Sequence, residues 1–442
     1  MSSHPSSSEN PAPTHATSSS TAERSPAHAA QRTRRALVGG LIAGGALGTL
    51  GALPRAFAQS APALDHGRLV VVFLRGAYDG LSAFVPWSDP EYRRLRPNIA
   101  VAAPDGTAAT AIELDARFAL HPALAPVLPM WKDGSLAIVP AAGSPDPTRS
   151  HFEAQHQWEI GMPGKTGDVS GWINRLAAMN AGPGRTAVAL GIGEANPRIL
   201  RGDARTRLIA KGQGATRPGV IGNERAREAL LDLYSGNDRL SKAFREGVES
   251  RLMTAKELAS EMNAADNGAA GSAAGLALDA QHLATLMRND ATLRLGFISA
   301  GGWDTHANQG SAQGLLANQF GNLARALVQL RADFNQPGDV ILVMSEFGRT
   351  SAENGARGTD HGRGNAFWLI GDRITGGRVH GRWDGLAQGN LNEGRDLPVR
   401  HDFRAVIAQP LGQVFRLSDS RLNDLFPGAT WDRTLDQLVR RA

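Results

Sequence analysis

The sequence of 442 residues is long enough to bury one large core or two smaller ones, and 42% of its residues are hydrophobic, as in ordinary globular proteins. It contains no cysteine, which excludes disulfides, thiol nucleophiles and cysteine-ligated metals. The net charge is +5, but residues 1–58 account for three of these charges. The rest of the chain is therefore close to neutral, and no basic stripe of the kind that binds nucleic acid is present.

The first 58 residues resemble an export signal. Residues 1–33 are rich in Ser, Ala, Thr and Pro and are predicted to be disordered, because they offer almost no apolar side chains to bury. Arg34 and Arg35 then open a run rich in Gly, Ala and Leu, and Ala56–Ala58 gives the A-x-A pattern of a cleavage site. These features are typical of a twin-arginine (Tat) signal peptide that is cut after Ala58.

A membrane anchor is the alternative for this leader. The run after the paired arginines is short, rich in glycine and weakly apolar, which favours cleavage, and no later stretch is apolar enough to span a membrane. We therefore expect the Tat export machinery to carry the folded protein to the periplasm or beyond the cell, with no stable membrane span after cleavage.

The remaining chain alternates between apolar runs and amphipathic segments. Six runs predict buried β-strands, at Leu69–Leu74, Leu136–Pro140, Ala187–Leu190, Leu293–Ser299, Val340–Met344 and Phe367–Ile370. Helical patterns lie at His121–Trp131, Phe152–Glu159, Glu224–Met262, Leu278–Met287, Leu315–Phe334 and, behind a capping Asp402, at Phe403–Phe415. This alternation predicts a single α/β domain over residues 59–442, with a mostly parallel central sheet.

One region of this domain is expected to lie outside the sheet. Residues 196–222 have the composition of a polar loop, and residues 264–275 have that of a linker of small residues. The long charged helix between them shows no strand pattern. We therefore predict a cap or an insertion over residues 196–290.

Three groups of acidic and histidine side chains follow apolar runs and are candidate metal ligands. Asp304 and His306 come after one predicted strand, Glu346 comes after the next, and Asp360 and His361 lie shortly beyond it. Such positions meet at the carboxyl edge of an open α/β sheet, where ligands bind. Mixed oxygen and nitrogen ligands suit a divalent metal such as zinc, manganese or calcium, and we expect one or two ions per chain. Taken singly, each residue is explained as well by a turn or a helix cap.

Asp79 is a sixth candidate ligand. It follows the first predicted strand through the segment RGAYDG, whose glycines permit a close approach of the backbone. An ordinary Asp-Gly turn is the alternative at this position.

Ser150 and His151 stand where a predicted helix begins. Ser150 is either an N-cap, with Glu153 as its capping-box partner, or a nucleophile whose alkoxide is favoured by the helix dipole. His151 is a candidate substrate-binding residue.

Three arginines near these motifs offer planar guanidinium groups for an anion. Arg349 is a candidate for the catalytic machinery, and Arg75 and Arg149 are candidates for substrate binding. The alternative for each of them is a salt bridge at the surface.

Together with the leader, five motifs resemble the domain-of-unknown-function 1501 family: LVVVFLRGAYDGL (69–81), RSHFEAQ (149–155), GGWDTH (301–306), SEFGRT (345–350) and TDHG (359–362). This family consists of exported bacterial proteins that are distantly similar to the alkaline phosphatase and sulfatase superfamily. The resemblance implies an alkaline-phosphatase-like α/β/α sandwich.

The resemblance also implies active-site roles. Ser150 takes the place of the superfamily's nucleophile, and Glu346 stands at a strand end where the superfamily usually has an Asp-His pair. The other implied ligands are Asp79, Asp304, His306, Asp360 and His361. These roles describe an exported metal-dependent hydrolase of phosphate or sulfate esters, which acts on a small-molecule or polymer-borne anionic ester. The alternative is a non-catalytic secreted metal-binding protein on the same scaffold.

The paired arginines generate the first testable prediction. Arg34→Lys combined with Arg35→Lys is expected to leave the precursor in the cytoplasm, because the Tat machinery recognises the arginine pair. Cell fractionation and immunoblotting measure this outcome. Arg24→Lys combined with Arg32→Lys changes the same leader outside the pair and is expected to export normally. Mature protein in the periplasm from the first double variant would contradict the prediction.

Overall fold

The computed structural model describes residues 67–180, 188–193, 197–267 and 275–440. The leader predicted over residues 1–58 lies outside these ranges, and so do residues 268–274 of the predicted linker. Within the described ranges, no helix combines the length and the apolar character that are needed to cross a membrane.

The described residues contain these strands: β1 (Leu69–Leu74), β2 (Phe84–Val85), β3 (Ile112–Glu113), β4 (Ala119–Leu120), β5 (Leu136–Gly143), β6 (Val188–Gly193), β7 (Thr206–Ala210), β8 (Leu293–Ala300), β9 (Val340–Met344), β10 (Asn365–Ile370), β11 (Arg378–Val379) and β12 (His401–Asp402). Nine of them form a central sheet in the order β11-β5-β10-β9-β1-β8-β6-β7, with β12 paired to β5. Only β10 runs antiparallel to its neighbours in this sheet. The six predicted strands and the mostly parallel sheet are thus confirmed.

The α-helices of the described residues are α1 (Gly80–Ala83), α2 (Pro90–Leu95), α3 (Leu128–Lys132), α4 (His151–Ile160), α5 (Trp172–Asn180), α6 (Glu224–Leu233), α7 (Arg239–Asn267), α8 (Leu276–Asn289), α9 (Leu315–Asp333), α10 (Phe403–Gln413) and α11 (Asp419–Leu425). Asp402 caps α10 as predicted, since its side chain accepts a hydrogen bond from the Arg404 backbone amide.

The prediction of a single helix over residues 224–262 is wrong. Two helices, α6 and α7, stand there instead. The second begins after Asp238, whose side chain accepts hydrogen bonds from the backbone amides of Leu240 and Ser241.

Both faces of the central sheet are buried. Val70, Val72 and Leu74 of β1 belong to one core cluster together with side chains of α8 and α9. The intervening residues of β1 belong to a second cluster together with side chains of α5 and α10. The continuous apolar run of β1 follows from this arrangement, because neither of its faces meets water. The sheet is therefore the middle layer of an α/β/α sandwich.

The region over residues 196–290 is not wholly outside the sheet. Its strand β7 pairs in parallel with β6 at the edge of the sheet, and α8 contributes Leu283 and Leu286 to the core. The predicted cap is therefore wrong for these two elements. The sequence of β7, TRLIA, lacks a continuous apolar run because an edge strand keeps partly exposed positions, one of which holds the polar Arg207.

A buried ion pair between Asp79 and Arg96 lies just after β1. Arg96 Nη1 is 2.6 Å from Asp79 Oδ2, and the two side chains are 0% and 2% exposed. Ser82 and Gln309 also donate to the Asp79 carboxylate. Burial raises the pKa of Asp79, but the charge and hydrogen bonds of Arg96 outweigh burial and lower it. The carboxylate is used by these contacts, so Asp79 is a structural residue rather than the predicted metal ligand.

This ion pair generates a prediction about stability. Arg96→Ala is expected to lower the free energy of unfolding by about 3–5 kcal/mol, because the Asp79 carboxylate is then buried without its counter-charge. Denaturation in urea measures the change. Arg94→Ala removes a neighbouring arginine whose partner Glu91 is near the surface, and it is expected to change little. Equal losses in the two variants would refute a special role for Arg96.

Candidate metal centre

Several loops meet at the carboxyl edge of the sheet. The strands β9, β1 and β8 are parallel neighbours, so the residues that follow them, including Glu346 and Asp304, lie at the same edge. Because β10 is antiparallel, the residues that precede it, Asp360 and His361, also reach this edge. The helix α4 follows β5 and begins with His151. One edge thus gathers side chains that are far apart in sequence.

His151, Asp304 and His361 form a group that fits a metal ion, with one ligand atom from each residue and all three atoms within 4.8 Å of one another. The Nε2 atoms of His151 and His361 are 2.9 Å apart. Asp304 places Oδ2 3.4 Å from His151 Nε2 and Oδ1 3.3 Å from His361 Nε2. Ligand atoms around a tetrahedral zinc ion are about 3.3 Å apart. The observed spacings are close to this value.

His306 lies beside this group. Its Nε2 atom is 2.9 Å from His361 Nε2 and 3.0 Å from Asp304 Oδ1. His306 follows Asp304 by two residues, and in an extended chain two such side chains point to the same side. It is therefore a further candidate ligand.

The other ring nitrogen of each histidine is held by an oxygen atom. His151 Nδ1 is 2.7 Å from Glu346 Oε1, His306 Nδ1 is 3.0 Å from Asp360 Oδ1, and His361 Nδ1 is 2.9 Å from a backbone carbonyl oxygen. A carbonyl or an ionised carboxylate only accepts hydrogen bonds, so each Nδ1 carries a proton, and in the neutral form of a ring the lone pair is then on Nε2. Lone pairs that converge at 2.9 Å repel one another unless a proton or a metal cation lies between them.

Glu346 and Asp360 therefore support the candidate ligands, although the sequence pattern suggested that they would bind a metal themselves. Glu346 is fully buried, and its carboxylate also accepts hydrogen bonds from Gln155 and from the Gly76 amide. Asp360 accepts from Asn354 as well as contacting His306. Carboxylates in this position orient a histidine ligand and increase its basicity.

The pKa values reflect these contacts. The hydrogen bond to Glu346 raises the pKa of His151 despite its partial burial. Burial lowers the pKa of His361, and the charge of His151 lowers it further. Burial raises the pKa of Asp304, but the hydrogen bond and charge of Arg349 outweigh burial and lower it. The two neighbouring imidazoles thus have opposite tendencies, as expected for groups too close to be protonated together.

Arg349 is committed to protein contacts. Its side chain is fully buried, and its Nη2 atom donates to Asp304 Oδ1 at 2.6 Å. Its remaining donors reach the carbonyl oxygens of Gly76, Ala77, Trp303 and Thr359. The predicted catalytic role of clamping an anion is therefore wrong, because this guanidinium positions Asp304 instead.

The other two predicted anion-binding arginines differ from each other. Arg75 pairs with the buried Glu159 at 2.7 Å and also donates to Gln155, which commits it to the protein. Arg149 pairs with Glu393 and Asp396 but remains partly exposed. Its Nε atom is buried and has no hydrogen-bond partner among the described residues.

Ser150 occupies the N-cap position of α4, but its side chain makes no capping hydrogen bond. The residue is exposed. The capping box considered for Ser150 and Glu153 is wrong, because Thr148 Oγ1 donates to Glu153 instead, at 2.8 Å. The Ser150 hydroxyl is therefore uncommitted among the described residues.

Comparison with known proteins identifies the family. The family described as "Protein of unknown function (DUF1501)" matches residues 66–426. The chain belongs to the DUF1501 family. No curated protein is similar enough to the chain to count as a match. The crystal structure of Ps i-CgsB in complex with k-i-k-neocarrahexaose is similar over 81% of this chain and 74% of that one, with 11% identity and a TM-score of 0.34. This similarity is too low to support an argument about function.

Sequence reasoning about this DUF1501 protein identified Asp304 and His361 of the possible ligand group but did not include His151 in it. The sequence pattern made His151 a substrate-binding residue, whereas the structure places it in the ligand group. The signal was available, because His151 begins the helix that follows a parallel strand and thus lies at the carboxyl edge.

The ligand group generates a prediction about metal content. Protein purified without chelators is expected to hold roughly one or two divalent ions per chain, and Asp304→Ala or His361→Ala is expected to remove metal. Glu346→Gln is expected to weaken metal affinity by about 10- to 100-fold, because it disturbs the orientation of His151. Elemental analysis and thermal melting with added zinc, manganese or calcium measure these effects.

Asp203→Ala is the control for this prediction, since Asp203 is an exposed aspartate in another loop. Its metal content should equal that of the wild type. A wild-type protein that holds no metal and shows no thermal shift with any of these ions would rule out the site.

Proposed function

We propose that this DUF1501 protein is an exported metal-dependent hydrolase of phosphate or sulfate esters. The observation that carries the proposal is the convergence of three imidazoles and a carboxylate at an edge that is open to solvent. The side chains of Asp304 and His306 are 44% and 43% exposed. Structural metal sites are closed by protein ligands, whereas catalytic sites keep a position open for water or substrate.

The ligand chemistry favours zinc or manganese as the bound ion. Imidazole nitrogen suits zinc and other transition metals, whereas calcium takes oxygen ligands. When bound, such a cation polarises an ester oxygen and lowers the pKa of a coordinated water molecule.

Residues of the chain supply the remaining functions. Ser150 offers an uncommitted hydroxyl beside His151, at the N-terminus of α4, where the helix dipole stabilises negative charge. Arg149 lies next to it. Its guanidinium pairs with Glu393 and Asp396, but at 30% it is the most exposed of the three predicted arginines and therefore the most accessible to an anion. Together these groups would orient an anionic ester and assist the attack on it.

The proposed place of action is the periplasm or the exterior of the cell. The twin-arginine leader supports export through the Tat machinery, which transports folded proteins. A protein that folds first can acquire its metal in the cytoplasm. The substrate would then be a small or polymer-borne anionic ester outside the cytoplasm.

A non-catalytic secreted metal-binding protein is the second candidate. The commitment of Arg349 and Arg75 to protein contacts favours it, because these two arginines cannot neutralise a phosphate or sulfate group. The open metal edge and the uncommitted Ser150 hydroxyl favour the enzyme.

Ser150→Ala tests the proposed mechanism. Turnover of a phosphate or sulfate ester by the metal-loaded protein is expected to fall by several orders of magnitude. The melting temperature should change little, because the hydroxyl makes no capping hydrogen bond. Ester-hydrolysis kinetics and thermal melting measure the two quantities.

Ser235→Ala removes an exposed hydroxyl elsewhere and should change neither quantity. An unchanged rate in Ser150→Ala would remove Ser150 from the mechanism. If the metal-loaded wild type turned over no ester at all, the metal-binding alternative would be favoured.

A further inference from the structure

A chain of hydrogen bonds continues from the candidate metal centre into the protein. It begins at His151, whose Nδ1 atom is 2.7 Å from Glu346 Oε1. Gln155 Nε2 donates to the same oxygen at 2.7 Å, and Gln155 Oε1 accepts from Arg75 Nη1 at 2.8 Å. Arg75 Nη2 is in turn 2.7 Å from Glu159 Oε1. Three side chains thus connect His151 to Glu159.

Both ends of this chain of contacts belong to the helix α4. His151, Gln155 and Glu159 follow one another at intervals of four residues, so they lie on one face of the helix. Glu159 is 4% exposed, and its Oε2 atom accepts a hydrogen bond at 2.9 Å from the backbone amide of Ile199. A buried carboxylate needs its counter-charge. The pair with Glu159 therefore keeps the Arg75 guanidinium beside Gln155.

The two neighbours of the Gln155 amide determine its orientation. A guanidinium only donates hydrogen bonds, so the amide atom that faces Arg75 is the carbonyl oxygen. The amino group then faces Glu346, whose ionised carboxylate only accepts. Rotation of the amide by half a turn would bring donor against donor and acceptor against acceptor. Gln155 therefore offers Glu346 a hydrogen bond of fixed direction.

The other contacts of the Glu346 carboxylate come from the ends of strands. Its Oε1 atom also accepts from the Gly76 amide at 2.8 Å, and its Oε2 atom accepts from the Ser345 hydroxyl at 2.9 Å. These contacts hold the carboxylate relative to the sheet. Gln155 lies one helical turn after His151, so its contact holds the carboxylate relative to the helix that carries this candidate ligand.

We propose that Gln155 is a positioning residue of the metal centre. Held by Arg75, it fixes the Glu346 carboxylate and thereby the direction in which His151 presents Nε2 to a metal ion. The inference rests on the metal centre of the proposed function, but it does not require ester hydrolysis. It also gives the pair of Arg75 and Glu159 an effect on metal affinity.

Zinc affinity tests this inference. The metal-free protein is titrated with zinc in competition with a chromophoric chelator. Gln155→Met removes both hydrogen bonds at similar side-chain volume and is expected to weaken zinc binding by about tenfold, because the partner that orients a histidine ligand is itself disturbed. Gln155→Glu still accepts from Arg75 but, when ionised, cannot donate to Glu346. It is expected to weaken zinc binding at least as much.

Gln157→Met is the matched control. It makes the same change on the same helix, at a buried residue whose amide has no hydrogen-bond partner among the described residues. Its zinc affinity should equal that of the wild type. The melting temperature of each metal-free variant is measured alongside, because a purely structural role of Gln155 would lower that temperature and leave the zinc affinity unchanged.

A double variant shows whether Gln155 acts through Glu346. Gln155→Met combined with Glu346→Gln is expected to bind zinc as weakly as Glu346→Gln alone, because both changes disturb the same contact with His151. Wild-type affinity in Gln155→Met, wild-type affinity in Gln155→Glu, or losses that add in the double variant would overturn the inference.

The same titration separates this inference from the proposed function. A wild type that binds no zinc would overturn both the inference and the metal centre. Zinc binding that depends on Gln155, in a protein that hydrolyses no ester, would support the inference and refute the proposed hydrolase.

Discussion

The guanidinium of Arg349 connects the loops that carry the candidate metal ligands. It reaches carbonyl oxygens in the loop after β1, in the loop after β8 and in the segment before β10, while Arg349 itself follows β9. A buried guanidinium must place five N–H donors, and these converging carbonyls supply the acceptors. Its charge is balanced by Asp304 at 2.6 Å. The position of one candidate ligand is thus tied to the same group that holds the loops together.

A second buried polar network reinforces this edge. Gln309 donates to Asp79, and its carbonyl oxygen accepts hydrogen bonds from the hydroxyl groups of Thr305 and Thr359. The loops that carry His306 and Asp360 are therefore fixed by hydrogen bonds to neighbouring loops. Buried polar networks contribute less to the free energy of unfolding than apolar packing of the same volume. Each hydrogen-bonding group in them has few alternative partners, however, which favours one arrangement of the loops. These hydrogen bonds hold the loops that carry the candidate ligands in fixed positions.

The fold and the location of the candidate site could be predicted from sequence, because apolar runs mark the strands and polar side chains follow where the strands end. A continuous apolar run such as β1 marks a strand buried on both faces, and the polar residues after it must lie at the carboxyl edge. The edge strand β7 could not be found in this way, because its first two positions, Thr206 and Arg207, carry polar side chains. The antiparallel direction of β10 brings His361 to the carboxyl edge. A pattern of apolar residues does not show the direction of a strand, so this could not be predicted either.

The roles of individual residues could not be predicted because sequence does not show how deeply a side chain is buried. Glu346 and Arg349 looked like a ligand and a catalytic residue, but both are fully buried and have their hydrogen-bonding capacity filled by the protein. Asp304 and His306 are nearly half exposed and keep atoms that face the open edge. A ligand must leave an atom free for an ion that arrives from solvent, whereas a buried charge must be neutralised when the chain folds. Glu346 and Arg349 therefore differ from Asp304 in depth, and depth is set by the packing of the whole sheet.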